Sequence, residues 1–317
     1  MRHFVYGVWI LAYLVGAGCA KRDEFSVFKG PYLGQEPPGT SPRIFAPQIF
    51  SKSQPDWAFD ATFAPGGNEF YFTMHDRDAG LDKMMSMKKL GKRWTRPVPV
   101  SFNSEHNNHN LCISPDGGSI YYRSWRPLPG STLPEDRPYL WFVRRMKSGW
   151  SEPHPIKCGD AYYRASSPGV ARDGTLYFAH RSEETKCQSD IYRSRFVDGS
   201  YAVPENLGSR INTEYLEGDL CVAPDASFMI VSCWDRPDNN GESDLYISFR
   251  RNDGSWTPLD NVGGPINTKN NENCPTLSPD GKYFFYMSVE TDGDTPKCST
   301  HWVSTRILDR LRPDDLE

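Results

Sequence analysis

Five copies of one short unit occupy most of the chain, and they constrain the fold more than any other feature. The copies are ATFAPGGNEFYFTM (61–74), LCISPDGGSIYYRS (111–124), SPGVARDGTLYFAH (167–180), LCVAPDASFMIVSC (220–233) and PTLSPDGKYFFYMS (275–288). In the full form of the turn, Pro presets φ, Asp bonds back to the backbone and Gly tolerates positive φ, so each copy predicts a β-hairpin. The copies recur about every 50 to 57 residues, a period typical of propellers and arrays.

Each hairpin is followed by signals for two more strands and a linker. The third-strand signals are Asp190-Ile191-Tyr192 and Asp244-Leu245-Tyr246, with weaker matches at Asp82-Lys83-Met84, Pro138 and Trp302. The fourth signal is an aromatic residue followed by Pro, at Trp94–Pro97, Trp150–Pro153, Tyr201–Pro204 and Trp256–Pro258. The linkers are Ile211-Asn212-Thr213, Ile266-Asn267-Thr268 and a degenerate Phe102-Asn103-Ser104. Four short strands per repeated unit predict an all-β fold, a single β-propeller of four-stranded blades.

The Ser-Pro-Asp-Gly hairpin, the Asp-Ile-Tyr strand, the Trp-x-x-Pro signal and the Ile-Asn-Thr linker together resemble the bacterial WD40-like (PD40) repeats of TolB-like propellers. The resemblance covers roughly residues 40–312 and is specific for fold rather than function. Three turns depart from the pattern, at Gly66, Arg172 and Ala226. Ala226 replaces the turn Gly, so we expect backbone strain there if the left-handed conformation is kept.

The N-terminus is typical of an exported protein. Residues 1–18 predict a signal peptide, with an apolar stretch from Phe4 to Val15 that is short for a membrane span. Val15-Gly16-Ala17-Gly18-Cys19 resembles a lipobox, which implies lipidation of Cys19 and a periplasmic protein anchored to the outer membrane; the alternative is secretion with an unmodified Cys19. Residues 19–42, rich in Gly and Pro, predict a tether, and residues 43–317 predict the propeller.

The segment Arg43–Ser51 predicts a strand just before the first hairpin. The fifth unit has no recognisable fourth strand of its own, so we expect this segment to complete the last blade and protect its edge. Pro47 fits only at an edge or a bulge. The count is then five blades, with six as the alternative if the 127–138 insertion or the N-terminal region contains another.

Charge and cysteine content exclude some functions. The net charge of −4 and the absence of a basic stripe argue against a nucleic-acid partner. No CxxC or HxxxH spacing indicates a metal site, and no cofactor motif is present. Export permits disulfides, but no pairing follows from the sequence; Cys112 and Cys221 share one repeat position and are expected to be buried fillers.

Propeller geometry sorts the loops between two faces. The Pro-Asp-Gly turns fall on one face, here called the turn face, and the inter-blade linkers and the loops after each second strand fall on the other, the linker face. Polar and aromatic residues that break the repeat, or that follow second strands, gather on the linker face and suit a polar ligand. The ligand-binding candidates are Arg77, His106, His109, Arg126, Tyr162, Arg164, His180, Arg181, Trp234 and Arg236.

Several functions remain open from the sequence. No GxSxG motif or Ser-His-Asp order is present, which favours a non-catalytic lipoprotein that binds an envelope protein or glycan. The alternative is a carbohydrate-active enzyme, either a glycosidase with carboxylates in the central funnel or a metal-assisted lyase with His106, His109 and His180 as ligands. The candidate carboxylates are Asp60, Glu217, Asp219 and Glu272. A third possibility is a propeller domain that serves a multi-protein envelope complex.

Overall fold

The computed structural model describes residues 28–53, 57–76, 78–131, 137–181, 189–291 and 296–316. The predicted signal peptide, Cys19 and Arg77 lie outside these residues. Within the described part of the chain, no helix is long and apolar enough to cross a membrane.

Five antiparallel sheets form a five-bladed β-propeller, which confirms the predicted fold class. The N-terminal segment contains β1 (Arg43–Ile44), α1 (Pro47–Phe50) and β2 (Ser51–Ser53). Blade one contains β3 (Ala58–Phe63), β4 (Glu69–Asp76), β5 (Leu81–Leu90), β6 (Arg93–Trp94) and β7 (Val98–Pro99). Blade two contains β8 (Asn108–Ile113), β9 (Ser119–Ser124), β10 (Tyr139–Arg144) and β11 (His154–Pro155).

Blades three to five repeat this plan. Blade three contains β12 (Ala165–Val170), β13 (Leu176–Arg181), β14 (Ser189–Ser194), the separate hairpin β15 (Phe196–Val197) and β16 (Ser200–Tyr201), and β17 (Glu205–Asn206). Blade four contains β18 (Leu216–Val222), β19 (Phe228–Trp234), β20 (Ser243–Phe249) and β21 (Asp260–Asn261). Blade five contains β22 (Asn271–Leu277), β23 (Tyr283–Glu290) and β24 (Lys297–Ser304).

Short helical turns flank the sheets, at Pro31–Gly34, Thr305–Leu311 and Asp314–Leu316.

The predicted third strands are all present, and the weak signal at Trp302 lies in β24. The aromatic residue of each aromatic-Pro signal precedes the outer strand, which has only two residues in blades two to four. In the described residues, neither the N-terminal region nor the 127–138 insertion adds a sixth blade.

The N-terminal segment closes the ring, as predicted, by pairing with β24. Arg43 lies opposite Trp302, and Ser51 lies opposite Ser299. The segment is not one continuous strand, because Pro47 begins the helical turn α1, where its missing N–H has no ladder partner to lose. Phe45, fully buried at the first pairing, is therefore the anchor of the closure.

Residues 28–42, expected as part of a tether, pack on the propeller instead. Phe28 and Leu33 are buried, and the Trp94 indole donates to the Gly30 carbonyl at 2.8 Å. Tyr32 lies edge-on against Phe63 and Tyr283, between blades one and five. We call residues 28–39 the strap; its apolar side chains cover core that would otherwise face water, so the packed body includes residues that precede Arg43.

The Ile-Asn-Thr linkers have a structural role. The Asn212 side chain accepts from the Ile191 N–H at 2.7 Å and donates to the Ile191 carbonyl at 2.9 Å. Asn267 makes the same pair of bonds to Leu245, and Asn103 to Met84. Each Asn side chain thus makes the two hydrogen bonds that the backbone of a paired strand residue would make. It links the inter-blade linker to the third strand of the preceding blade.

The predicted strain at Ala226 is present, since its φ is 56°. The corresponding turn glycine Gly281 has φ 68°, and Asp280 accepts from the Lys282 N–H at 3.2 Å as the turn chemistry predicts. None of the six cysteines in the described residues forms a disulfide, and Cys112 and Cys221 pack in separate apolar clusters.

Candidate functional site

A β-bulge interrupts the inner strand of every blade. The shifts lie between Phe59 and Thr62, His109 and Cys112, Ser166 and Gly169, Glu217 and Leu220, and Asn273 and Thr276. A bulge re-aims a side chain that regular alternation would place elsewhere. Here it brings one polar residue from each blade to the propeller axis.

We call these five residues the polar ring: Asp60, Asn110, Ser167, Asp219 and Cys274. The Asn110 N–H donates to Asp60 Oδ2 at 2.6 Å, and its side-chain amide donates to Asp219 Oδ1 at 3.3 Å. Ser167 Oγ donates to the same Asp219 oxygen at 2.5 Å, and the Cys274 thiol donates to Asp219 Oδ2 at 3.3 Å. Asp60, Asn110, Ser167 and Cys274 have positive φ between 49° and 56°.

Burial, together with the charge of the nearby Asp219 carboxylate, raises the pKa of Asp60 to about 7. Burial also raises the pKa of the Cys274 thiol well above its ordinary value, again with the Asp219 charge adding to the effect. On the turn-face side of the ring, the axial channel is narrow, about 80 Å³, with apolar walls that include Phe63, Val222 and Leu277.

The other two candidate carboxylates do not reach the axis. Glu217 is fully buried and accepts from the Thr213 hydroxyl at 2.5 Å; Glu272 is fully buried and accepts from the Thr268 hydroxyl at 2.8 Å. Each thus fixes the turn after its own Ile-Asn-Thr linker. Burial raises the pKa of Glu217 to about 7. The structure therefore brings Asp60 and Asp219 together, and it separates Glu217 and Glu272 from them.

The linker face has a cavity of about 230 Å³ between blades two, three and four, here called the arginine cavity. Of the predicted ligand-binding residues, it brings together Arg164, Arg181 and Trp234. It also contains Arg123, which the sequence analysis did not select, and Asp219 of the polar ring at its floor. Arg123 lies 4.3 Å from the Trp125 ring centroid, and its Nε has no hydrogen-bond partner although it is buried.

The surroundings of Arg123 change the pKa of its guanidinium but leave it charged. Burial lowers the pKa of this guanidinium to about 10, with Arg181 also lowering it, while Asp219 opposes the shift. A guanidinium with this pKa stays protonated at neutral pH. Its place in the repeat could have revealed it, because the equivalent residues of the other second strands are Thr73, Ala179, Ser232 and Met287, all uncharged.

Trp234 can line the cavity because blade four carries a glycine. A Cβ on Gly218 would lie 2.3 Å from Trp234 Cζ3, so any larger residue would displace the indole. The other blades carry Phe59, His109, Ser166 and Asn273 at the equivalent position, one residue before the polar-ring residue. Blade four thus departs from the repeat at the wall of the arginine cavity. The isolated glycine in its inner strand is the sequence feature that could have indicated this site.

The remaining linker-face candidates make contacts outside the cavity. Arg126 donates to the Phe102 carbonyl at 3.1 Å, and Arg236 lies over the Tyr246 ring at 4.3 Å. The His180 ring nitrogen Nδ1 is 2.7 Å from the Arg164 carbonyl oxygen. Tyr162 is 40% exposed and lies apart from the cavity lining.

The three histidines do not form a cluster. His109 stacks on Trp125 at 5.1 Å, and burial, with the Arg123 charge, lowers its pKa to about 3, so it is neutral at physiological pH. The His106 carbonyl accepts from the Asn108 side chain at 2.6 Å. Among the residues that the structure describes, no three His, Cys, Asp or Glu side chains are placed to hold a metal ion.

Comparisons with known proteins show the fold alone. No family model and no curated protein matches the sequence. A protein of unknown function from Dyadobacter fermentans is 11% identical, with a TM-score of 0.50 over 83% of this chain and 98% of its own. A glycoside hydrolase is 10% identical, with a TM-score of 0.51 over 87% of this chain and 91% of its own. An endo-arabinase from Bacteroides thetaiotaomicron is 12% identical, with a TM-score of 0.46 over 80% of this chain and 95% of its own.

Proposed function

We propose that this protein is a non-catalytic β-propeller of the PD40 type that binds a cell-envelope glycan in the arginine cavity. The observation that carries the proposal is the convergence of Arg123, Arg164, Arg181 and Trp234 in one concave site where the repeat is broken. Residues that recur in every copy serve the scaffold, as Asn212 and Asn267 do. Residues that depart from the repeat and share a cavity are better candidates for function.

A glycan fits this site better than a protein surface does. The site is concave, and it combines one aromatic wall with fixed polar groups, the usual composition of a small-molecule site. A protein partner would require a larger and flatter patch, since stable interfaces bury about 800 Å² per partner.

The hydrogen bonds of the candidate carboxylates support a binding role over hydrolysis. Asp219 already accepts from Ser167, Asn110 and Cys274, and Glu217 and Glu272 hold linker turns. An inverting glycosidase needs two carboxyl groups about 6.5–9.5 Å apart with room for a water between them. The polar ring instead places Asn110 between Asp60 and Asp219.

The setting of this function follows from the sequence predictions. The signal peptide, lipidation of Cys19 and an outer-membrane anchor in the periplasm remain predictions, because residues 1–27 lie outside the described residues. In that setting the ligand would be a component of the cell envelope, and the anchor would hold the propeller beside it.

A glycan and muropeptide array tests the proposal with the full chain in mild detergent. We expect binding that is lost in Trp234→Ala and kept in Tyr162→Ala, which removes an exposed aromatic residue of the same face outside the cavity lining. Circular dichroism would show that both variants fold. Absence of binding to every glycan, or equal binding by Trp234→Ala, would overturn the proposal; loss of binding with EDTA would revive the metal-assisted alternative.

A further inference from the structure

We infer that the arginine cavity selects a saccharide that carries a carboxylate, such as a uronic acid. The inference rests on the proposed function and narrows its ligand class. Among the described residues that line the cavity, three are cationic and one is anionic. The charge of the site therefore favours an anion, whereas the protein as a whole has a net charge of −4.

Asp219, the one acidic residue among the described residues that line the cavity, also belongs to the polar ring. Both oxygens of Asp219 accept hydrogen bonds within the polar ring, from Ser167, Asn110 and Cys274. No ion pair joins Asp219 to Arg123 among the described residues, although its charge acts on that guanidinium. Asp219 is thus a positioning residue, which holds a cationic group at the cavity floor without neutralising it through a direct contact.

Arg123 is the anchor of the inferred site. Its guanidinium lies over Trp125 at 4.3 Å, which restricts its rotamers, and its buried Nε has no partner. The Nε is closed off from solvent, so the other N–H groups of this guanidinium, which lines the cavity, are the ones that a ligand oxygen would meet. The planar guanidinium presents paired N–H donors that match the two oxygens of a carboxylate.

The other walls fit the rest of a sugar. Arg164 and Arg181 are exposed at the mouth, where they can bind the anionic group or steer it inward. Trp234 forms the opposite wall and offers a flat apolar surface to a sugar ring, made possible by Gly218. Arg126 and Arg236, which face the same side of the propeller, bind other groups: Arg126 donates to the Phe102 carbonyl of the preceding linker, and Arg236 pairs with Asp238.

Calorimetric titration of the full chain with trigalacturonate and with neutral galactotriose tests the inference. We expect trigalacturonate to bind at least about tenfold more tightly, with the advantage falling as salt rises. Arg164→Gln and Arg181→Gln, both at exposed positions, should each weaken trigalacturonate about tenfold, since a charge-assisted bond is lost. Arg306→Gln makes the same change of charge at an exposed position beyond β24, on the turn face, and should bind as the wild type does.

The outcomes separate this inference from the proposed function. Equal affinity for the two trisaccharides, with binding still lost in Trp234→Ala, would leave the proposed function standing and overturn the preference for a carboxylate. Competition by inorganic phosphate at concentrations where acetate has no effect would also overturn it, in favour of a phosphate group. Binding of neither trisaccharide, nor of any other uronate oligosaccharide, would overturn the preference for a carboxylate; absence of binding to every glycan of the array would overturn the proposed function as well.

Discussion

Asp60 and Asp219, from blades one and four, are bridged at the propeller axis by Asn110, whose backbone N–H donates to the first and whose side-chain amide donates to the second. Two carboxyl groups in one buried network cannot both ionise without cost. The polar ring is therefore the place where the fold is most sensitive to pH.

We expect the ionisation of Asp60 to lower the free energy of unfolding as pH rises from about 5 to 8, while His109, whose folded pKa is about 3, opposes this trend below about pH 6.5. The pKa of Asp60 is raised to about 7 in the folded protein, above its unfolded value, so the folded state binds the proton more tightly in this window and loses that advantage as pH rises. Glu217 acts in the same direction. The loss from Asp60 is on the order of a few kcal/mol, and urea unfolding at pH 5 and pH 8 measures it.

Asp60→Asn isolates the contribution of this residue. The amide is neutral at both pH values, so the variant should lose part of the pH dependence. Asp253→Asn serves as the control, since Asp253 lies in an exposed turn where hydrogen bonds from Ser255 lower its pKa. A pH dependence of stability that is unchanged in Asp60→Asn would contradict the account of the ring.

We expect Gly218→Ala to displace Trp234 and reduce glycan binding. The added methyl would lie 2.3 Å from Trp234 Cζ3, and overpacking of this kind costs about 1–3 kcal/mol of stability. Thermal unfolding and glycan titration measure the two effects. Gly39→Ala is the control, because a Cβ there meets nothing within 4 Å.

A double-mutant cycle checks the physical reason. In a Trp234→Ala background, Gly218→Ala should cost much less than it does alone, because the clashing ring is gone. Additive effects of the two substitutions would show that the glycine serves the backbone rather than the indole.

Phe45→Ala should destabilise the protein by about 3–5 kcal/mol, as expected for loss of a buried aromatic side chain. Phe45 is fully buried and contacts Phe63, Phe285 and Trp302 at the closure of the ring. Its neighbour Ile44 is 42% exposed, so Ile44→Ala should change stability by only about 0.5 kcal/mol. Urea unfolding of the two variants measures the difference; similar small losses would show that the closure is not anchored at Phe45.

Asn267→Ala should cost about 1–3 kcal/mol for each buried group that it leaves unpaired. The substitution removes both bonds to the Leu245 backbone, and water does not reach this site because Asn267 and Leu245 are buried. Asn252→Ala, in an exposed turn, is the matched control and should have little effect. Chemical unfolding of the pair provides the measurement, and equal stabilities would refute the role assigned to the linker Asn.

The sequence predicts what local chemistry determines. The Pro-Asp-Gly turns, the third strands and the closing segment follow from residue types at a fixed spacing, so blade number and topology could be predicted. The strap could not, because the Gly and Pro residues of 28–42 are equally compatible with a tether. Its docking depends on Tyr32 and Leu33 meeting apolar residues distant in the chain.

The candidate site could be predicted only in part, because bulges decide which side chains reach the axis. A shift of one residue moves a side chain to the other face of a strand, and no local signal marks the shift at Asn110 or Ser167. Glu217 and Glu272 lie near the inner strand starts, as expected, but their carboxylates bond the linker threonines. Arg164 and Trp234 were found because they break the repeat, and Arg181 because it follows a second strand.

The strap also places the N-terminal end of the described residues on the turn face. It crosses the turn face, where Gly30 bonds the Lys92 carbonyl at 3.0 Å, so the chain leaves the ring on that side. Nine residues separate Phe28 from Cys19, which allows a reach of at most about 30 Å. A lipid on Cys19 would hold the turn face toward the bilayer, and the arginine cavity would open away from it, toward polymers that lie beyond the membrane surface.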